Sequence, residues 1–358
     1  MKLNLFIHAA NCISPQRTFL SNGWMKNLLL SENNQLLFIE PDYQPYINSG
    51  SIRRMSRLIK TGLAAGMQTW FDADNVPLDG IITGTGRGSM TDTEAFLNDM
   101  LRLDETALNP TFFIQSTYNS VSGWLALFTK SNTYNQTFVH RGHSFEWCLL
   151  DAFLFAEKKD RPLHILIGSF DEMTPDYFFV KNKIDYWRKE EVSNTQLLNA
   201  PKSQGTIAGE GASFFILSNR EKTESIVVKS MALRNGFHEE AVQSMMEEVL
   251  GDAGLDWQDI DLIISGENGD QDLDAIYSGV WKNLKTKRPV IIPFKHLCGE
   301  FDTASGFATW LGREILNTQQ IPDTIPLPGG IAPKEIKHVL IVNQYFQLQS
   351  SSILLTKL

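Results

Sequence analysis

Close to the C-terminal end the sequence sets a lysine, a cysteine and two acids side by side in KHLCGEFD, Lys295 to Asp302. Those residue types could do nucleophilic or acid/base chemistry. Lys295 could lower the pKa of the Cys298 thiol three residues on and make it a nucleophile. Glu300 and Asp302 could form a carboxylate pair with Lys295, either as a structural ion pair or as an acid/base site for hydrolysis or decarboxylation. A second group, His140, Arg141 and His143, stands just before a long apolar run. It could hydrogen-bond into a pocket, contact a partner, or remain solvated. His143 with Glu300 is the most suggestive pair between the two groups.

Other motifs support less. TGTGRG (Thr83–Gly88) lacks the Walker lysine spacing and a complete dinucleotide fingerprint, so it is expected to be a close strand-to-loop turn. GENGDQDLD is rich in acids and amides, but its spacing does not match an EF-hand loop. No cysteine–histidine spacing supports zinc. No cofactor and no metal are therefore expected. Cys148, between Trp147 and Leu149, is expected to be a core thiol.

These groups must be positioned by alternating strands and helices. LNLFIHA near the start is a predicted first strand. LDGIITGTG is a strand running into a glycine turn, and MTDTEAFLNDMLRL is a helix for which Thr91 or Thr93 is the expected cap. FEWCLLDAFLFAEKK is long and apolar enough for a buried helix. LHILIGSFDE is a buried strand with an acidic end. Residues 176–202 are polar and irregular, and GTIAGEGASFFILSNR approaches another strand. EEAVQSMMEEVLGDAG is an amphipathic helix with a glycine stop, IDLIISGENGD a strand with a polar tip, and 303–317 a helix. HVLIVN and SSILLTKL close the chain as strands. The pair HILIGS/GASFFILS matches HVLIVN/SSILLTK, which suggests two related α/β halves. The expected division is 1–204 and 205–358, with an excursion near 176–202; a strand pair in the second part could complete the first.

The chain has 358 residues, 42% of them hydrophobic, enough for one large core or two smaller ones. Its formal charge of -9 does not favour a nucleic acid or an anionic membrane as partner. Three cysteines do not look like a secreted disulfide framework. The apolar part of the start is too short for a signal peptide, and no run reaches the length of a membrane span. The cytoplasm is the expected compartment.

Taken in order, several segments resemble a β-ketoacyl-ACP synthase of the thiolase fold. GIITGTGRG is similar to that family's early strand and glycine turn, and NPTFFIQSTYNSVSGWLA to the segment ahead of its active region. GSFDE resembles its "GGADE" strand end, GEGAS its "GEGAG", KHLCGEFDTASG its "KSxxGHxxGAAG", and VNQYFQLQSSSILL its closing "NSFGFGGTNASLVL". The resemblance covers nearly the whole chain. It implies two similar mixed-sheet α/β halves in a layered α-β-α-β-α arrangement. It also implies a cysteine at a buried helix N-terminus that takes the acyl chain, with two histidines and a lysine serving decarboxylative condensation.

Position by position, the resemblance puts Gly142 where the nucleophile belongs, anchored on LLDA. It puts Gly266 at the first histidine, anchored on Asp274, and Glu300 at the second. Lys295 alone keeps its expected type. The closing segment has become YFQLQ, so Asn343, Tyr345, Phe346 and Gln347 are expected to line or restrict the pocket. Three changed positions imply a noncatalytic subunit resembling a chain-length factor, although Gly142 differs from the glutamine many such factors carry. Implied partners are a second copy, or an active ketosynthase, and an acyl-carrier protein. An active synthase or acyltransferase using Cys298 or His143, and a noncatalytic homodimeric scaffold or acyl-ligand-binding protein, are the alternatives.

Overall fold

The computed structural model describes residues 1–20, 26–157, 159–199, 203–222, 225–284, 289–327 and 332–358. Ten strands form its main sheet: β1 (Lys2–Ile13), β2 (Gly80–Gly84), β3 (Tyr134–Phe138), β4 (Ile165–Asp171), β5 (Gly211–Ser218), β6 (Ile226–Asn235), β7 (Leu262–Ser265), β8 (Val290–Pro293), β9 (His338–Tyr345) and β10 (Gln349–Lys357). Their order is β8-β7-β9-β10-β6-β1-β5-β4-β2-β3. From the centre outward each side repeats the same plan. β1 and β6 pair antiparallel with each other at the middle. β5 and β10 follow, antiparallel to their neighbours. Then come β4 and β9, parallel to β2 and β7, with β3 and β8 parallel at the two edges. The two strand sets also run in the same chain order, which agrees with the matched strand pairs in the sequence. A division at 204/205 would leave β5 outside the first part, although β5 pairs with β1 and β4.

Helices α1 (Arg57–Phe71), α2 (Met90–Arg102), α3 (Pro110–Gln115), α4 (Ser120–Thr129), α5 (Ser144–Glu157), α6 (Pro175–Lys183), α7 (Glu239–Ala253), α8 (Gln271–Asn283) and α9 (Ala304–Thr318) surround these strands. Strands β2, β4, β5, β7, β9 and β10 are buried on both faces, and alternate residues serve different layers. Leu166, Phe214 and Ile216 pack with Leu58 and Leu63 of α1 and Leu125 of α4. Their neighbours Ile165, Ile167, Phe215 and Leu217 face a central layer made by Phe145 and Leu149 of α5 and Phe307 and Leu311 of α9. In the second half, Leu262, Ile264, Val339 and Ile341 join that same central layer. Ile263, Leu340 and Leu354 turn outward to Val242 and Met246 of α7 and Tyr277 of α8. This is the α-β-α-β-α layering expected from the sequence.

Local corrections are few. The N-cap of α2 is Ser89, not Thr91 or Thr93. The Thr91 amide is taken instead by Glu172 Oε1 at 2.9 Å, and its hydroxyl donates to Glu172 Oε2 at 3.0 Å. A carboxylate from beyond the end of β4 therefore holds the start of α2, where negative charge suits the helix dipole. The polar stretch from 176 is helical through Lys183, with the Thr174 hydroxyl as cap; residues 200–202 lie outside the described residues.

Candidate functional site

The end of β9 gathers the four positions singled out above. Gly266, just past β7, donates its N–H to Val342 O at 2.8 Å. Lys295 opens a one-turn helix, Lys295–Cys298, and its Nζ donates to Gln344 O at 2.7 Å. The same Nζ lies 2.5 Å from Glu300 Oε2, and both side chains are fully buried. Asn268 Nδ2 donates to that oxygen at 2.8 Å. Gly142 sits in a short 3-10 turn, Arg141–His143, that leads into α5, and it faces Tyr345 and Gln349. Val342, Gln344 and Tyr345 thus bring together parts of both halves.

At Gly142 and Gly266 the space is already filled. A Cβ on Gly142 would collide with Tyr345 Cβ, and would lie 2.8 Å from Tyr345 Cγ and 3.2 Å from Gln349 Oε1. A Cβ on Gly266 would stand 2.6 Å from Tyr277 Oη and 2.9 Å from Asn343 Oδ1. Contacts this short leave no room for a cysteine or histidine side chain without displacing neighbours. Tyr345 and Asn343 therefore act at these positions by occupying them.

The buried charges extend beyond the expected set. Burial pushes the Glu300 carboxyl up, and Lys295 and Asn268 oppose that rise. Glu146, one turn after Gly142 on α5, is also fully buried and had no signal in the sequence beyond being an acid inside an apolar run. Ser351 Oγ donates to its Oε1 at 2.6 Å. Burial raises Glu146 to about 7, and Ser351 and Lys295 reduce the rise only in part. Glu146 Oε2, Glu300 Oε1 and Asn343 Oδ1 are buried with no hydrogen-bond partner among the described residues. This centre is polar and closed, and it holds charge in place.

Several expected partnerships are replaced. Asp302 does not join Lys295; its Oδ2 lies 3.4 Å from Arg87 Nε, in the former TGTGRG motif. That turn is anchored by Asp171, whose Oδ1 accepts from Thr85 Oγ1 and Gly86 N, each at 2.9 Å. Asp171 Oδ2 accepts from Thr303 N at 3.1 Å and Thr303 Oγ1 at 2.7 Å. His143 does not meet Glu300: its Nε2 contacts Ser350 O at 3.0 Å, and burial lowers its pKa to about 4, which leaves a neutral ring near neutral pH. Cys298 is fully buried, and burial holds its thiol well above the ordinary range despite the opposing pull of Lys295. That is the reverse of an activated nucleophile. Cys148 is buried in the central layer, as expected. Phe346 stacks on Tyr186 with centroids 3.9 Å apart, whereas Gln347 is exposed at the tip of the β9–β10 turn and does not line the centre.

The acids of GENGDQDLD serve the start of α8. Asp270 Oδ1 accepts from Asp272 N and Leu273 N, and Asp274 accepts from Asn268 N and Gly269 N. Among the described residues no group of three or more His, Cys, Asp or Glu is placed to hold a metal ion. No helix among them is long and apolar enough to cross a membrane.

No family model matches the sequence, and no curated protein sequence matches it either. Solved structures do match its shape. The ishigamide ketosynthase/chain length factor superposes with a TM-score of 0.80 at 15% identity, covering 100% of both chains. A β-ketoacyl synthase from Burkholderia phymatum STM815 gives 0.78 at 13% identity, again over 100% of both. The ketosynthase ApeO in complex with its chain length factor ApeC, from Xenorhabdus doucetiae, gives 0.75 at 15% identity, covering 99% of this chain and 98% of that one. The chain therefore has the thiolase-like fold of ketosynthases along its whole length, at an identity that speaks for fold alone.

Proposed function

We propose that this protein is a noncatalytic ketosynthase-like subunit, a partner of the chain-length-factor kind in type II fatty-acid, aryl-polyene or polyketide biosynthesis. The observation that carries the reading is the filling of the Gly142 and Gly266 positions by Tyr345, Tyr277 and Asn343. Where the resembling family needs a thiol and an imidazole, this chain has packed neighbours, and at Glu300 it has a buried ion pair with Lys295. A buried ion pair with a defined register can specify a packing arrangement without doing chemistry.

The partner would dock at β3. This strand ends the sheet, and its first three residues are exposed. An open edge strand is a template for pairing with another chain. Beside it in sequence, Ile114, Trp124 and Leu127 line a cleft of about 670 Å³. The similar solved structures include a ketosynthase with its chain length factor and a ketosynthase with its acyl-carrier protein, which suggests the kinds of partner to try. The role would be exercised in the cytoplasm, and the repeat unit would turn over after β5 rather than before it.

Incubating the chain with malonyl-ACP and acyl-ACP, with and without a cysteine-containing ketosynthase, and reading intact mass tests this. The expected result is no acyl adduct on this chain; an adduct on Cys298 would replace the proposal with an active synthase or acyltransferase. Stable self-association with no binding of ketosynthase or carrier would favour a homodimeric scaffold. A second check uses Gly142→Cys. It should leave the chain without acyl transfer and lower its stability by about 1–3 kcal/mol through the clash with Tyr345. Acylation of the introduced thiol at a wild-type unfolding midpoint would count against the filled-site argument.

A further inference from the structure

Lys181 on α6 is 8% exposed, and its ammonium is surrounded by rings rather than by acids. Nζ lies 3.6 Å from the ring centroid of Tyr186, 5.6 Å from Tyr177 and 5.8 Å from Phe346. Among the described residues no carboxylate lies within ion-pair reach of it. Arg87 also lies against Tyr177, with Cζ 4.5 Å from that ring's centroid. Its Nη2 donates to Tyr345 Oη at 3.3 Å, and its charge is matched by Asp302. Burial, and then Arg87, bring Lys181 down to about 8; Asp302 pulls the other way and Arg141 adds to the positive field. One cation is therefore left over in a nearly buried place, where an unpaired charge is costly. Ring faces offset only part of that cost.

The rings supply the second half of a site. Tyr186 and Phe346 are stacked at 3.9 Å, with Trp187 edge-on to both. Phe346 is held there by a left-handed backbone (φ 43°), as is Gln347 (φ 59°), in a turn closed by Leu348 N–H to Tyr345 O at 2.9 Å. Two consecutive non-glycine residues in that region store strain of the kind that accumulates at ligand clamps.

We propose that Lys181, with Arg87 behind it, binds the carboxylate of a small organic acid whose flat apolar body lies against Tyr186 and Phe346. A single uncompensated cation matches a monoanion, and the stacked rings match a planar body rather than a compact tetrahedral anion. This site is separate from the Lys295–Glu300 centre and stands whether or not the noncatalytic assignment does.

Calorimetric titration of the full chain with benzoate, acetate and inorganic phosphate tests the proposal. Benzoate should bind, acetate about tenfold more weakly, and phosphate no more tightly than acetate. Lys181→Met, which keeps the aliphatic packing, should weaken benzoate about tenfold or more while Lys181→Arg retains it. Tyr186→Leu should weaken benzoate but not acetate, and it reads the ring contact if the lysine variants fold poorly. Absence of benzoate binding, unchanged affinity in Lys181→Met, or phosphate binding as tightly as benzoate would each overturn it.

Discussion

Glu146 shows how much the fold concentrates on one side chain. It is a carboxyl in the central helical layer, fully buried, with one oxygen held by Ser351 and the other without a close hydrogen-bond partner among the described residues. Its folded value of about 7 lies above the ordinary 4.5 because burial disfavours the charged form. A raised carboxyl value means that the folded state holds its proton more tightly than the unfolded state does. The stabilising contribution is complete below the unfolded value and is lost as pH rises through about 7. The loss is on the order of 3 kcal/mol. Glu146→Gln keeps the acceptor for Ser351 and removes the titration. Its stability relative to wild type should improve steadily between pH 4.5 and pH 7 in denaturant melts. Asp171, Glu172 and Asp274 are also raised to about 7, but they titrate in both proteins and cancel in the difference. Parallel pH curves for the two proteins would show that Glu146 does not titrate as described. At this scale the sequence was legible where partners are neighbours. Lys295 and Glu300 are five residues apart, and one helical turn with a glycine brings them together. Asp302 was misassigned because its cation, Arg87, is brought in by tertiary structure from the opposite half.

Elements were easier to read than their fastenings. The 2-residue alternation and the apolar runs placed β4, α5, α7 and β9 close to where they lie, because burial on two faces leaves little choice of residue type. The fastenings are long-range. Glu172 holds the start of α2, and Asp171 ties the Thr83–Gly88 turn to the start of α9, and neither link has a local pattern. Asp171 receives four hydrogen bonds, two on each oxygen. An asparagine there can accept on one side only, and its amide N–H₂ would face a backbone N–H on the other. Asp171→Asn should therefore cost about 2 kcal/mol, the penalty of leaving a buried donor unpaired. The measurement is the denaturant midpoint near pH 5, below the raised value of about 7, because above it the wild type also carries the burial penalty of its charge and the amide does not. A cost within about 0.5 kcal/mol, the range of a neutral surface change, would mean that the turn and α9 are held by packing alone.

At the scale of the whole molecule, the two strand sets repeat each other but their edges differ. At one end β8 has half-buried residues, and Pro293 closes it. A proline and partial cover make a poor template for further pairing. At the other end β3 begins with three exposed residues, and the helices next in sequence expose Ile114 (64%) and Leu127 (67%) beside Trp124. The sheet therefore has one edge suited to extension by another chain. The sequence carried this only indirectly: YNQTF is a short polar strand, and nothing in its pattern says that it is terminal. Substituting Leu127→Glu separates folding from association. A carboxylate at a position already this exposed should change the stability of the isolated chain by no more than about 0.5 kcal/mol. In an interface the same carboxylate would be buried without a partner, at a cost of several kcal/mol, and the complex should dissociate. Sedimentation velocity on the chain mixed with the proposed ketosynthase partner should show the dimer mass for wild type and the monomer mass for Leu127→Glu, at equal thermal midpoints. A variant that still sediments as the dimer would place the interface elsewhere on the molecule and return β3 to the status of a short, polar edge.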